Sequence, residues 1–369
     1  MLGELSAKIG VDVGGTNTDA ALLIGNELVA ACKTTTTNDI TTGIVTAITA
    51  LFRDSNIAKE KITSINIGTT HLVNACIQRE GLNKVMVLRL AGRATTALPP
   101  GSDWPDDVRE ELIGEESYII DGGYEYDGKE IASINPRQIH WAIQRATAKK
   151  VHSVAVIGVF ANVNPSQEEE VKRMFNETNP TIHVTVSHTM GGIGLIAREN
   201  ATIVNAASFL LFQKISQAFK VAITELSLLS DVYLTYGDGT KTPLDDNAST
   251  PLKTFHSGPA NSISGAAILS KLKDAVTVDI GGTTCDVGLL KDNKPVNENS
   301  SFPITGIGVR CNFVLPHLHS FGLGGGTIIS LDGAGSITIG PNSVGLHLQE
   351  KALVFGGDVL TSTDIAVVV

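Results

Sequence analysis

Cysteine is scarce in this chain: Cys32, Cys76, Cys285 and Cys311 are the four in 369 residues, and no two form a CxxC pair. That spacing excludes a zinc ribbon and a dithiol redox motif. Aromatic residues are also few, at 5%, which argues for tight backbone turns rather than aromatic binding platforms. Positive charge is in deficit, with a net charge of −10 and no run of Lys or Arg. Nothing is left over to neutralise a phosphate backbone, so a nucleic-acid partner is not expected. No apolar stretch is long enough to span a bilayer. No secretory apolar region precedes the first strand at Ile9. The expected setting is cytoplasmic, away from membrane, with reduced thiols. A Gly-x-Ser-x-Gly nucleophile elbow is missing too, which leaves a serine hydrolase without support.

Glycine is abundant, at 37 residues, and 42% of the chain is hydrophobic against 18% charged. A chain of this length and composition buries a core and accommodates two domains. Strand and helix signals alternate. Lys8–Val13, Asp19–Ile24, Ile62–Ile67, Val85–Leu90, Val154–Phe160 and Ile182–Val186 read as strands. Between them, helical spacing covers Thr41–Arg53 behind an Asp39 cap, Leu72–Arg79, and Pro136–Lys149 behind Asn135. Residues 91–130 read as an irregular insertion. One long helix is expected over about 194–229, carrying the polar string Arg198, Glu199, Asn200, Thr202 and Asn205; Arg198, Glu199 and Asn200 read as a solvated face, the alternative being that they face a cleft. This alternation predicts an α/β fold with a mostly parallel sheet.

From Val278 the chain repeats its own beginning. Val11-Asp12-Val13-Gly14-Gly15-Thr16-Asn17-Thr18-Asp19 and Val278-Asp279-Ile280-Gly281-Gly282-Thr283-Thr284-Cys285-Asp286 both read Asp-x-Gly-Gly-Thr-x-x-Asp. Each follows a strand and leads into a short apolar strand. Paired glycines permit φ > 0 and remove Cβ atoms from the concave side. Backbone N–H groups can then face phosphate oxygens. A carboxylate approaches a polyphosphate only through a cation, and Mg²⁺ with its water shell prefers carboxylate oxygen. Asp12, Asp279, Asp19 and Asp286 are therefore candidates for a metal-water ligand or for a base that orients a nucleophile. Gly14, Gly15, Thr16, Asn17, Gly281, Gly282, Thr283 and Thr284 are the candidate phosphate cradle.

A phosphate hairpin at the head of each half resembles the actin-like (ribonuclease H-like) ATPase superfold, in which two related domains enclose a nucleotide cleft. Within it, the ordered strings Gly10–Asp19, Gly68-Thr69-Thr70 with Asn74-Ala75, Ser187-His188, Ser257-Gly258-Pro259-Ala260, Asp279–Val287, His319–Gly326 and Thr361–Asp364 are similar to the hydantoinase A/5-oxoprolinase family. The resemblance implies ATP-dependent opening of a cyclic amide (a hydantoin, 5-oxoproline or related lactam) through phosphorylation of the amide oxygen. It implies ATP and Mg²⁺ as cofactors, with Asp12 and Asp279 as catalytic carboxylates on the magnesium side, Asp19 and Asp286 nearby and the two glycine strings around the phosphates, and a hydantoinase B-type partner subunit or a homo-oligomer. Residues 1–190 would form the N-terminal ATPase domain and 191–369 the second. Family members continue past the Thr361–Asp364 string, so a truncated second domain is expected. Two other readings stay open: a small-molecule kinase of the same superfold, and a non-catalytic fragment or subunit.

Several residues stand apart from the repeat. Where the family carries Asp-x-His, this chain has His317-x-His319. Alternate strand residues share a side, so the two imidazoles are a candidate site for a second divalent metal. The alternative is a pair of half-exposed strand histidines. The dense glycines Gly322–Gly326 imply close approach by a ligand or another backbone, and Gly324 and Gly325 are assigned here to the nucleotide. His71 stands at a strand-to-helix turn, open to substrate contact or local capping.

Overall fold

The computed structural model describes residues 6–14, 17–35, 39–244, 250–298, 301–304, 306–331 and 335–368. Its first sheet opens with an antiparallel ribbon, β1 (Ala7–Val13), β2 (Asn17–Ile24) and β3 (Glu27–Thr35). On the other edge of β1 lies β4 (Ile62–Thr69), which runs parallel to it. Between β3 and β4 the chain forms α1 (Ile40–Ser55), capped as expected by Asp39, whose carboxylate accepts the Thr42 N–H at 2.9 Å. After β4 comes α2 (His71–Gln78).

The second sheet is wholly parallel, in the order β6-β5-β7-β8, with β5 (Val85–Leu90), β6 (Ser117–Ile120), β7 (Ser153–Gly158) and β8 (His183–Val186). Every residue of β5 and β7 is buried, as apolar runs covered on both faces require. The stretch 91–130 is not wholly irregular. It contains α3 (Asp106–Leu112) as well as β6. Only Val108 and Leu112 of α3 are buried, too few apolar positions to announce a helix. α4 (Pro136–Ala148) and α5 (Ser166–Thr178) complete this layer.

The expected long helix is two, α6 (Leu195–Ala207) and α7 (Phe209–Glu225), parted at Ser208. Its polar string is not solvated, because Arg198, Glu199, Asn200, Thr202 and Asn205 are all buried. Each finds a partner. Glu199 takes two hydrogen bonds of 2.7 Å from Arg89, Asn200 accepts from Trp104 Nε1 at 2.7 Å, and Arg198 donates to Ser187 Oγ at 3.0 Å. Buried polar groups are tolerated when so satisfied.

Chain order then returns to the first sheet. β9 (Asp231–Thr235) adds parallel to β4 and β10 (Lys241–Pro243) follows on its edge, giving the order β10-β9-β4-β1-β2-β3. Residues on both sides of position 190 thus share one sheet. Its core packs Ile9, Val11 and Ile67 against Ile44, Ile48 and Leu51 of α1 and Phe212 and Phe219 of α7. α8 (Ser257–Ser270) leads into the second ribbon, β11 (Ala275–Ile280) and β12 (Cys285–Lys291), with β13 (Lys294–Pro295) and the strand Leu318–Phe321 on the far edge of β12. No helix among the described residues is long and apolar enough to cross a membrane.

Candidate functional site

The two repeats fold into the same hairpin. Asp12 pairs with Asp19 across β1 and β2, and Asp279 pairs with Asp286 across β11 and β12. In the first turn the Gly14 N–H donates to the Asn17 carbonyl at 3.0 Å; in the second the Gly281 N–H donates to the Thr284 carbonyl at 2.8 Å. Cross-strand pairing puts both carboxylates of each hairpin on one face. Gly15 and Thr16 lie outside the described residues. Gly14, Gly281 and Gly282 do not use positive φ, contrary to the sequence expectation. At Gly14 the reason for glycine is room: a Cβ would stand 2.9 Å from the Asn17 carbonyl oxygen. Around Gly282 no atom comes within 4 Å of that position, so its concave side is open.

Asp279 of the second hairpin stands near enough to Asp12 of the first to act on its carboxyl. Burial first, then the neighbouring carboxylates of Asp19 and Asp279, hold the Asp12 carboxyl above its usual range. Asp12 Oδ1 is buried without a hydrogen-bond partner. Asp19 is paired with Lys33 at 3.3 Å, and Asp286 accepts a hydrogen bond from Ser320. A buried, partnerless carboxylate oxygen repelled by two other carboxylates fits a magnesium ligand. Such an ion is held by one or two carboxylates together with waters and substrate phosphate.

β4 and α8 close the floor. A Cβ on Gly68 would lie 2.7 Å from Asp12 Oδ1 and 2.8 Å from Asn261 Nδ2. One on Gly258, in the first turn of α8, would lie 3.8 Å from Asp12 Oδ2. Both strings singled out in the sequence, Gly68-Thr69-Thr70 and Ser257-Gly258-Pro259, therefore converge on Asp12. Ser257 Oγ stands 3.4 Å from both the N and O of Thr69, which ties α8 to the end of β4. His71 is engaged locally, its Nδ1 2.7 Å from Thr69 Oγ1, and burial holds its imidazole below the usual range.

Sequence reasoning gave no role to two residues here, although Thr70 belongs to the Gly68-Thr69-Thr70 string. Thr70 Oγ1 and His256 Nδ1 are buried without partners. His256 adopts φ 57° immediately before α8, an uncommon conformation for histidine and one that clusters at functional sites. Its position directly ahead of the Ser257-Gly258-Pro259 string was the available signal.

The glycine string Gly322–Gly326 backs the second hairpin. The Gly325 and Gly326 N–H groups donate to the Gly281 and Gly282 carbonyls at 3.0 and 2.7 Å, and the Gly324 N–H to Thr327 Oγ1 at 2.7 Å. A Cβ on Gly324 would sit 2.6 Å from the Thr283 nitrogen. Another backbone approaches closely here, and the N–H donors of Gly324 and Gly325 are engaged within the protein. Thr363 joins them by donating its N–H and Oγ1 to the Gly325 carbonyl, each at 2.9 Å. Ser187 and His188 lie elsewhere, donating to the buried Glu168 carboxylate at 2.6 and 2.7 Å.

His317 and His319 meet edge to face, with centroids 5.4 Å apart, and His317 Nε2 lies 3.6 Å from Glu298. The strand begins only at Leu318, so the two residues do not share one regular strand. Among the described residues, no group of three or more His, Cys, Asp or Glu side chains is arranged to hold a metal ion.

Two family models match in chain order: the hydantoinase/oxoprolinase N-terminal region over residues 8–179 and hydantoinase/oxoprolinase over residues 198–369. The caprolactamase subunit alpha of Pseudomonas jessenii is 26% identical, over 97% of this chain and 53% of its own length. The acetophenone carboxylase gamma subunit of Aromatoleum aromaticum is 25% identical, over 98% and 53%. The chain thus spans about half the length of these curated relatives. Among solved structures, the ATP-dependent caprolactamase from Pseudomonas jessenii superposes with a TM-score of 0.74 at 24% identity, covering 98% of this chain and 54% of that one. Nucleotide-free acetone carboxylase gives 0.70 at 20% identity, with coverages of 98% and 54%. These likenesses bear out the actin-like ATPase fold expected from the sequence.

Proposed function

This chain belongs to the hydantoinase/oxoprolinase family, and from that premise we propose that it is the ATP-handling part of an enzyme that opens cyclic amides. The observation that carries the reading is the cross-repeat one. Asp12, from the first hairpin, is repelled by Asp279, from the second, while one of its oxygens stays buried and unpartnered. Three carboxylates brought together from two glycine hairpins are costly unless a cation and its phosphates belong between them.

In this reading the glycine turns would cradle the triphosphate, and Asp12 and Asp279 would hold Mg²⁺, which would neutralise charge on the phosphates. The chain contributes position and electrostatics. The amide oxygen of the lactam attacks the γ-phosphorus, the bond to the bridging oxygen breaks, and ADP leaves with the electron pair. The amide nitrogen gives up its proton, leaving an O-phosphoryl imidate. Water adds to its carbon, and the C–N bond breaks with a proton delivered to nitrogen. The resulting acyl phosphate is hydrolysed by a second water, giving the amino acid and phosphate. The caprolactamase and acetophenone carboxylase relatives are both named as subunits, which supports a partner subunit.

The test is ADP formation by the chain at millimolar Mg-ATP, with and without hydantoin, 5-oxoproline or caprolactam. Lactam-dependent ADP formation is the expected result. Phosphate retained on a stable product would make the protein a kinase, and failure to bind Mg-ATP would end the reading.

A further inference from the structure

Three elements each bring a buried, partnerless polar atom to one end of the cleft: Asp12 Oδ1 from β1, Thr70 Oγ1 from the turn into α2, and His256 Nδ1 from the residue before α8. Gly258 fixes the closeness of the first two. A Cβ there would stand 3.8 Å from Asp12 Oδ2, 4.0 Å from Asp12 Oδ1 and 3.9 Å from Thr70 Cγ2. His256 is two residues earlier, and Asp286 of the second hairpin acts on its ring. The first turn of α8 is thus wedged between the two hairpins. No side-chain cap hydrogen bond closes that helix end. Magnesium accounts for Asp12, but neither a hydroxyl nor an imidazole is needed by an ion that prefers carboxylate, phosphate and water oxygen.

We propose that Thr70 and His256 form the acceptor subsite, in which Thr70 Oγ1 and His256 Nδ1 hydrogen-bond the uncharged amide that receives the phosphoryl group. The proposal rests on the ATP-dependent reading and deepens it by naming the charge class of the substrate. An amide presents one acceptor and one donor close together. A hydroxyl can serve either role, and a neutral imidazole carries one of each. Burial, partly opposed by Asp286, favours that neutral form for His256. The surroundings disfavour an anion. Asp12 is already repelled by Asp19 and Asp279, Asp286 pairs with Asp279 across the second hairpin, and Lys33 is engaged by Asp19. Asn261, the other side chain beside Asp12, is itself uncharged and donates to Thr235 Oγ1 at 2.9 Å. A neutral lactam or hydantoin ring therefore suits the subsite, and a ring bearing a free carboxylate does not.

The experiment measures Mg-ATP affinity and lactam affinity separately, by calorimetric titration of the whole chain, for wild type, Thr70→Val, Thr70→Ser and His256→Ala. Caprolactam and hydantoin are the neutral probes and 5-oxoproline the anionic one. The wild type is expected to take a neutral ring in the presence of a non-hydrolysable ATP analogue, at least about tenfold more tightly than 5-oxoproline. Thr70→Val and His256→Ala should each weaken the neutral ring about tenfold or more, with Mg-ATP affinity within about twofold of wild type; Thr70→Ser should retain the ring. Unchanged ring affinity in both variants, no ring binding at all, or a preference for 5-oxoproline would overturn the subsite while leaving the ATP reading intact. A parallel loss of Mg-ATP affinity would reassign the two residues to the nucleotide. A wild type that binds no Mg-ATP would remove both readings together.

Discussion

The first and second hairpins carry one motif in two environments. Ile9, Val11 and Val13 of β1 are 0%, 3% and 1% exposed, whereas Val276, Val278 and Ile280, at the equivalent positions of β11, are 63%, 58% and 70% exposed. Among the described residues, the strand register and the N–H that closes each turn are alike in both. The surroundings differ. β1 has β4 in parallel on its outer edge, with α1 and α7 over its face. β11 pairs with β12 alone among the described residues, and the groove of about 590 Å³ between it and α8 is lined by Ile263, Leu269, Val276 and Val278. The motif therefore specifies the hairpin and its carboxylates. Burial, and with it the electrostatic stress on Asp12, comes from what is packed around it.

The widest separation should appear in activity. Asp12→Asn is expected to lower lactam-dependent ADP formation by about 10²-fold or more, without lowering the thermal midpoint of the ligand-free chain, because it removes a buried and repelled charge. Wild-type turnover in this variant would break the functional half of the comparison. Packing should follow the exposures. Ile9→Ala should cost about 2–5 kcal/mol in denaturant unfolding, whereas Val276→Ala should stay within about 0.5 kcal/mol. Equal losses would mean that β11 is covered in solution. Hydrogen exchange offers a finer reading: the amides of β1 should exchange at least about tenfold more slowly than those of β11.

Much of this was legible in the chain because it is decided locally. The Asp-x-Gly-Gly-Thr-x-x-Asp string closes on itself within a few residues, and Asp39 and Asn135 cap the helices that follow them. What escaped depends on partners distant in sequence. Arg89 and Glu199 are 110 residues apart, so nothing near Glu199 announced that its helix face was buried. The break at Ser208 lacks Gly or Pro; its hydroxyl turns back to the Val204 carbonyl at 2.7 Å, within an apolar pattern that continues on both sides. Thr70 and His256 acquire meaning only when α8 is brought against β4, a contact between residues 188 apart. The positive φ expected of the turn glycines failed at Gly14, where the demand is for space rather than for a left-handed backbone.

The smallest expected effect concerns pH, and it isolates the environment of Asp12. Its carboxyl is held above the ordinary value of 3.8 by burial and then by Asp19 and Asp279. A raised folded-state pKa means that the folded chain binds the proton more tightly than the unfolded one. The stability from that proton is fully present below about pH 3.8, and is lost as pH rises through the higher folded-state value. Acid denaturation of other carboxylates runs the opposite way, so the Asp12 contribution is read as a difference. Between about pH 4 and about pH 7, wild type should lose stability relative to Asp12→Asn as pH rises, and saturating Mg-ATP should shrink the gap by supplying the missing counter-charge. Thermal midpoints of the two proteins across that range, with and without Mg-ATP, measure it. Parallel curves would mean that Asp12 titrates as a solvated carboxylate. The first hairpin would then be no more stressed than the second.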